Sequence, residues 1–253
     1  MRQRLRLWHG LVGIALGLAA TMPAQAQTVK VGVIPATGTT DQVPASGTSF
    51  FVDLIDAIAS RAGLTVEFHA VPFGRQIAGV VAGELDIGAS PFAATDERRA
   101  LGVEFTKPVA ALEDALLVGA GNPGNYASVA DLKEEAVGAM AGTIWETAIK
   151  NAGAGLKTYS DVFDLAPALA SGEIKAALVS SANRYMFEVE RPDQRVRFTD
   201  AYIPTVRNDG SLTVRKSDTA LLKKLDAAIA ELKAEGNILP ALTEKYRYLM
   251  PKG

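Results

Sequence analysis

Thr95-Asp96-Glu97-Arg98-Arg99 puts two arginines on the first turn of what reads as a helix, directly after the small-residue loop Ser90-Pro91-Phe92-Ala93. The backbone dipole is already positive at that end of a helix. Either the neighbouring acids, Glu97 and Asp96, neutralise the spot, or an anion is meant to arrive there. The chemistry on offer is recognition. Thr95 can cap the helix, first-turn N–H groups point outward, and a guanidinium presents a planar fork to a carboxylate. Sets that make and break bonds are missing. Beyond residue 26 the sole histidine is His69, and the chain has no Cys, no H-E-x-x-H and no P-loop. "GAGNPGN" is glycine-rich but does not stand between a strand and a helix at nucleotide-loop spacing. Acids do not cluster at the spacing a metal needs. The residues therefore give no catalytic group, no metal site and no cofactor.

The elements that must position Arg98 follow from periodicity. "VKVGVIP" (29–35) is a β-branched strand run stopped by Pro35. In "FFVDLIDAIASRAGL", Phe51, Leu54, Ile55, Ile58 and Ala59 form a helical stripe, and Gly63 stands where a helix-ending glycine belongs. "LTVEFHAV" alternates as a strand, "RQIAGVVAGEL" reads as a helix and "LDIGAS" as a strand. Strand, helix, strand, helix, strand implies right-handed crossovers and a mostly parallel sheet. The pattern then resets. "SVADLKEEAVGAM" gives a short helix and a strand, and "GTIWETAIKNAG" a helix opened by Thr143 with Glu146 at capping-box spacing. "DVFDLAPALASGEIKAALVS" is a helix, a glycine stop and a strand. Near the C-terminus Leu221, Leu222, Leu225, Ala228, Ile229 and Leu232 face one way until Gly236. Two α/β units result, the second inserted into the first. "DALLVGAG" and "IPTVRNDGSLTVRK" make the two crossings of a hinge, and the carboxyl ends of the two sheets face each other across a cleft.

The first 26 residues read as a secretory signal: a basic "MRQRLR", an apolar "LWHGLVGIALGLAATM" and "AQA" before Gln27. The apolar core is too short for a membrane span, and Pro23 breaks it. Without Arg2, Arg4 and Arg6 the remainder carries 23 Lys plus Arg against 28 Asp plus Glu, a net charge of about −5. That balance argues against nucleic acid and against a polybasic membrane surface. An exported chain without Cys needs a core that stands without disulfides, and residues 27–253 are enough for two modest domains.

Four stretches resemble bacterial extracellular solute-binding proteins, family 3, the periplasmic receptors of polar amino-acid ABC importers. "SFFVDLIDAIA" is similar to the family's G-F-x-x-D-L…A-I. "VAGELDIGASPFAATDERRALGVEFTKP" is similar to its G-x-x-D followed by T-x-x-R and F-S/T-x-P, and "AVGAMAGT" to its V-G-x-x-x-G-T/S. The motifs keep order and spacing over nearly all of residues 27–253. The resemblance implies an α/β, two-lobed periplasmic-binding-protein (type II) fold. Each lobe would be a mostly parallel sheet flanked by helices, lobe 1 being residues 27–117 and 208–253 and lobe 2 residues 118–207. It implies that Arg98 holds a ligand carboxylate, that the Ser90, Phe92 and Ala93 loop contacts the ligand, and that Phe73 lines the first-lobe wall. It also implies that Thr143 and Ile144 donate N–H groups from lobe 2, with Trp145 beside them as a stacking platform or as lobe packing. Arg99 stays a solvated helix face.

The departures matter as much. Family members commonly carry an acid after the first strand and then an aromatic clamp; here Ile34 and Thr37 take those places. The family's G-x-x-D-A-x-x-x-D is "GEIKAALVS", with Lys175 and Ser180 where the acids would be. A buried ammonium without a carboxylate costs on the order of 3–5 kcal/mol. Arg98 without those acids therefore favours an organic or keto acid over an α-amino acid, unless Asp41 swings in from its loop. The expected protein is a periplasmic, monomeric transport receptor that closes on a small carboxylate and docks transiently on a membrane ABC permease. It is not an enzyme, does not itself enter the membrane and does not bind nucleic acid. Two alternatives share the fold. A cyclohexadienyl dehydratase would need Glu173, Asp41 or Glu146 as a cleft acid. A non-transport accessory protein would bind little.

Overall fold

The computed structural model describes residues 27–36, 41–47, 49–236, 242 and 245. The 1–26 signal reading and Thr37 lie outside the described residues. The first unit runs β1 (Gln27–Val33), α1 (Phe50–Arg61), β2 (Leu64–Ala70), α2 (Phe73–Ala82), β3 (Ile87–Ala93), α3 (Asp96–Ala100) and β4 (Val103–Phe105). β5 (Ala110–Gly119) leads to β6 (Ala136–Met140), α4 (Trp145–Asn151), β7 (Gly155–Tyr159), α5 (Leu165–Ser171), β8 (Ala176–Ser180), α6 (Asn183–Tyr185) and β9 (Val196–Phe198). The return is β10 (Arg207–Arg215) and α7 (Thr219–Glu235). Strand order is β2-β1-β3-β10-β5-β8-β6-β7. β1 pairs in parallel with β2 and β3, and β6 with β7 and β8, as the alternating pattern predicts. β5 and β10 run antiparallel to their neighbours.

β5 is shared. Its residues 110–113 pair with β10, and Asp114–Leu117 pair with β8. One strand thus passes from one sheet into the other, and the return stretch beside it enters β10. Asp114 pins the two crossings together. Its buried carboxylate accepts from Thr205 N and Val206 N at 2.9 Å each, from Thr205 Oγ1 at 3.0 Å and from the Tyr202 hydroxyl. Burial, and then that carboxylate, push the Tyr202 phenol above its usual range. Hydrogen bonds to a charged group each contribute about 1.5–3 kcal/mol, and a buried donor left alone costs a further share. Asp114→Ala is expected to lower unfolding free energy by about 2–3 kcal/mol in urea titration. Asp114→Asn, which keeps one acceptor oxygen for the two backbone N–H groups, should lose about half of that. Equal stability of all three proteins would show that the clasp contributes nothing.

The apolar stripe of α1 enters a core with α7 and β1, made by Leu54, Ile55, Ile58, Leu225 and Ile229 among others. Each fully buried aliphatic side chain contributes roughly 1.5–3 kcal/mol. The stripe starts one residue earlier than expected: Phe50 is buried and Phe51 is half-buried. Gly63, Gly172 and Gly236 end their helices at φ +68, +75 and +65, where a side chain would be strained.

Candidate functional site

A cleft of about 630 Å³ lies between the two units. From the first unit Ile34, Phe51, Phe73, Pro91, Ala93 and Arg98 reach it; from the second Met140, Thr143, Ile144, Trp145 and Ser180. Asn208, on the return strand, forms part of its lining. The two sides meet where a Cβ on Gly142 would lie 3.6 Å from Gly74 Cα. Gly142 has φ +78, so glycine is required at that contact.

Arg98 occupies the cleft as the one charged residue of its lining among the described residues. Thr95 caps α3, its side chain accepting from Arg98 N at 3.3 Å. The guanidinium donates from Nη1 to Ala93 O at 2.8 Å and from Nη2 across the gap to Gly142 O at 2.9 Å. Its carbon stands 5.3 Å from the Phe92 ring centroid and 5.8 Å from that of Phe73. Burial lowers its pKa from the ordinary arginine value, and the Glu97 carboxylate opposes this only in part. An arginine nonetheless stays charged at neutral pH. Among the described residues no carboxylate forms an ion pair with it. Two of five N–H donors are used, so three remain for an incoming acceptor.

Ser90 and Phe92 are not in a loop, as the sequence suggests, but in β3, because β10 pairs along it through Ser211↔Phe92 and Gly210↔Ala93. Strand residues alternate sides. Pro91 and Ala93 therefore face the cleft, while Ser90 and Phe92 turn inward with 2% and 1% exposure. Ser90 N donates to Gln76 Oε1 at 3.2 Å. Phe92 stacks under Phe73, centroids 4.5 Å apart, so that it supports the wall Phe73 presents. Arg99 departs from the expected solvated face: it pairs with Glu104 and lies over Phe105, 5.0 Å from the ring centroid.

In the second unit the expected capping box does not form. α4 begins at Trp145 after Ile144, the Thr143 hydroxyl donates to Met140 O at 2.7 Å, and Glu146 accepts from Gly142 N at 2.7 Å. A tight turn after β6 takes the residues that a cap would use. Thr143, Ile144 and Trp145 all reach the cleft, and Trp145 also packs in the core of its unit. Ser180 ends β8 at the cleft, its hydroxyl accepting from Ala182 N at 3.2 Å. Asp41 is exposed and outside the cleft lining. Phe51, Met140, Met186 and Asn208 line the site without having been singled out from the sequence. Only Phe51, at the start of α1, carried a local signal. Among the described residues no group of three metal-capable side chains occurs, and no helix is long and apolar enough to cross a membrane.

An ancestral arginine-binding protein solved with arginine superimposes with TM-score 0.74 at 26% identity, covering 88% of this chain and 99% of that one. The ancestral amino acid-binding protein described as a precursor of cyclohexadienyl dehydratase gives TM-score 0.72 at 24% identity, covering 87% of this chain and 94% of that one, a likeness of fold alone. The L-cystine-binding protein of Escherichia coli (strain K12) is 26% identical over 201 residues, which is 79% of this chain and 74% of the relative. Together with a cleft between two α/β lobes, a match to the family model over residues 34–247 shows that the chain belongs to the bacterial extracellular solute-binding proteins, family 3.

Proposed function

We propose that the protein is a periplasmic, monomeric receptor for an ABC importer, and that it closes lobe 1 (27–117 and 208–253) and lobe 2 (118–207) on a small ligand whose carboxylate meets Arg98. One observation carries this reading: a half-buried guanidinium in an inter-lobe cleft, with three donors free and no acid paired to it among the described residues. The amino-acid receptors it resembles support a ligand of amino-acid size, an amino acid or the organic or keto acid left when the amine is absent. A ligand shifts the open–closed equilibrium only by its preference for the closed form. Arg98 already bonds to both lobes, so a carboxylate added there gains contacts that exist only on closure. The dehydratase alternative lacks support in the cleft, whose described lining contains no Asp, Glu or His. Of the three stand-ins, Glu146 is bonded to Gly142 N, Glu173 accepts from the Tyr159 hydroxyl at 3.0 Å outside the lining, and Asp41 is exposed.

The test is a thermal-shift screen of amino acids and carboxylic acids, followed by solution scattering. At a hundred times its Kd a true ligand stabilises by about 2.7 kcal/mol. For a chain of this size that is roughly 5–10 °C in Tm. A smaller radius of gyration should accompany it. If no carboxylate raises Tm or compacts the protein, the receptor reading is wrong.

A further inference from the structure

The charge inventory of the cleft says more than the presence of Arg98. Among the described residues, every acid near the site is already engaged or turned away. Asp114 is filled by four donors in the hinge. Glu146 accepts from Gly142 N, and Asp161 from Phe163 N at 2.8 Å. Asp53 accepts from Gly47 N at 2.7 Å and pairs with Lys245 at 2.8 Å. Glu113 lies 3.6 Å from Arg207, and Glu188 2.7 Å from Arg184. Glu97 is exposed. Residues 37–40, Thr-Gly-Thr-Thr, contain no acid. The cleft thus balances one negative charge. A zwitterion would bring an ammonium with no carboxylate partner among the described residues, and a dicarboxylate a second anion with no cation.

The walls are aromatic and aliphatic. Phe51 and Phe73 on one side face Trp145, Met140, Leu178 and Met186 on the other. Such walls suit a ring or a branched chain. The uncharged polar residues among them are Ser49, Thr143, Ser180, Asn183 and Asn208. The Asn208 amide forms part of the lining, and its Nδ2, closed off from solvent, has no acceptor among the described residues. Exchange of the two ends of an amide costs no change in shape. Nδ2 is closed to the cleft as it stands, so the amide must turn before an acceptor on the ligand can give this donor the partner that buried polar groups require.

From this geometry we infer that the cleft selects a monocarboxylate with a bulky apolar body and no ammonium group, and that a 2-oxo acid of this class is the form that also satisfies Asn208. The inference rests on the receptor reading above and narrows its ligand. It sets this chain apart from relatives named for amino acids.

Isothermal titration with four probes tests it: 3-phenyl-2-oxopropanoate, 3-phenylpropanoate, L-phenylalanine and 2-oxopentanedioate. The two phenyl monocarboxylates should bind. L-Phenylalanine should bind at least about a hundredfold more weakly, the lower end of the effect of stranding a buried charge, and the dicarboxylate should be similarly weak. Asn208→Leu should weaken 3-phenyl-2-oxopropanoate about tenfold, the loss of one hydrogen bond, and leave 3-phenylpropanoate unchanged. L-Phenylalanine binding as tightly as its 2-oxo analogue, and lost in Arg98→Met, would overturn the inference while leaving the receptor reading in place. Preference for the dicarboxylate would overturn it in the same way. Equal weakening of both phenyl acids by Asn208→Leu would remove Asn208 from the specificity. If none of the four probes binds and no amino acid does, both the inference and the receptor reading fall.

Discussion

Arg98→Met is expected to bind a monocarboxylate ligand about a thousandfold more weakly than the parent protein, and to unfold within about 4 °C of it. The first half follows from where the guanidinium lies. It lies half-buried between Phe73, Phe92 and the two lobes, so a carboxylate placed against it in the closed cleft is partly screened from water. Removing one partner of such a pair costs roughly 3–5 kcal/mol, which is between a hundredfold and a few thousandfold in Kd. The second half separates a ligand-binding cation from a structural one. Without ligand, Arg98 is a half-buried cation whose charge is opposed by desolvation and only partly relieved by Glu97. Methionine of similar length removes that burden and forfeits the bonds to Ala93 O and Gly142 O, whose carbonyls border the cleft and can take water instead. The two effects nearly offset, so Tm should stay within about 4 °C, the equivalent of roughly 1 kcal/mol. Arg98→Lys keeps the charge but not the planar fork, and should recover only part of the affinity. Titration and calorimetry on the three proteins check this. If Arg98→Met bound within tenfold of the parent, or lost most of its stability, Arg98 would be a structural strut.

The elements around Arg98 were legible because they are written in local signals. The strand–helix alternation of residues 27–93 and the left-handed glycines after α1, α5 and α7 each depend on neighbours in sequence. What failed depends on partners far along the chain. β3 continues through Ala93 only because β10 lies beside it, and that pairing turns the Ser90 and Phe92 side chains away from the cleft. Asn208 is placed by its register with Leu112 on β5, and nothing near position 208 announces it. Phe50 and Phe51 both satisfy a helical stripe with Leu54 and Ile58, and tertiary packing chose Phe50 for the core. Phe51 is the more exposed of the two, and both border the cleft. The capping box failed more locally: the Thr143 hydroxyl donates to Met140 O, and Glu146 reaches back to Gly142 N. The missing acids at positions 34 and 180 were legible as absences, and Ile34 and Ser180 do line the cleft.

Ser180→Asp should reverse the preference between an amino acid and its 2-oxo analogue. Ser180 lines the cleft at the end of β8, so an aspartate there puts a carboxylate on the second-lobe wall; it stands opposite Asp114 in the β5–β8 register, and this like charge should cost some stability, which the four donors to Asp114 offset in part. It gives an ammonium the partner it lacks, and it faces a 2-oxo group with a like partial charge. The penalty on a stranded ammonium, roughly 3–5 kcal/mol, is what the new carboxylate relieves. The ratio of the Kd of L-phenylalanine to that of 3-phenyl-2-oxopropanoate should therefore fall by at least about a hundredfold. Ser180 also accepts from Ala182 N at 3.2 Å, and an aspartate oxygen can take over that bond, so the turn after β8 should hold. Two results separate the outcomes. Tighter L-phenylalanine with weaker 2-oxo acid shows that an absent acid sets the specificity. If the 2-oxo acid still binds and the ratio of the two Kd values does not move, the ammonium is not what this cleft excludes.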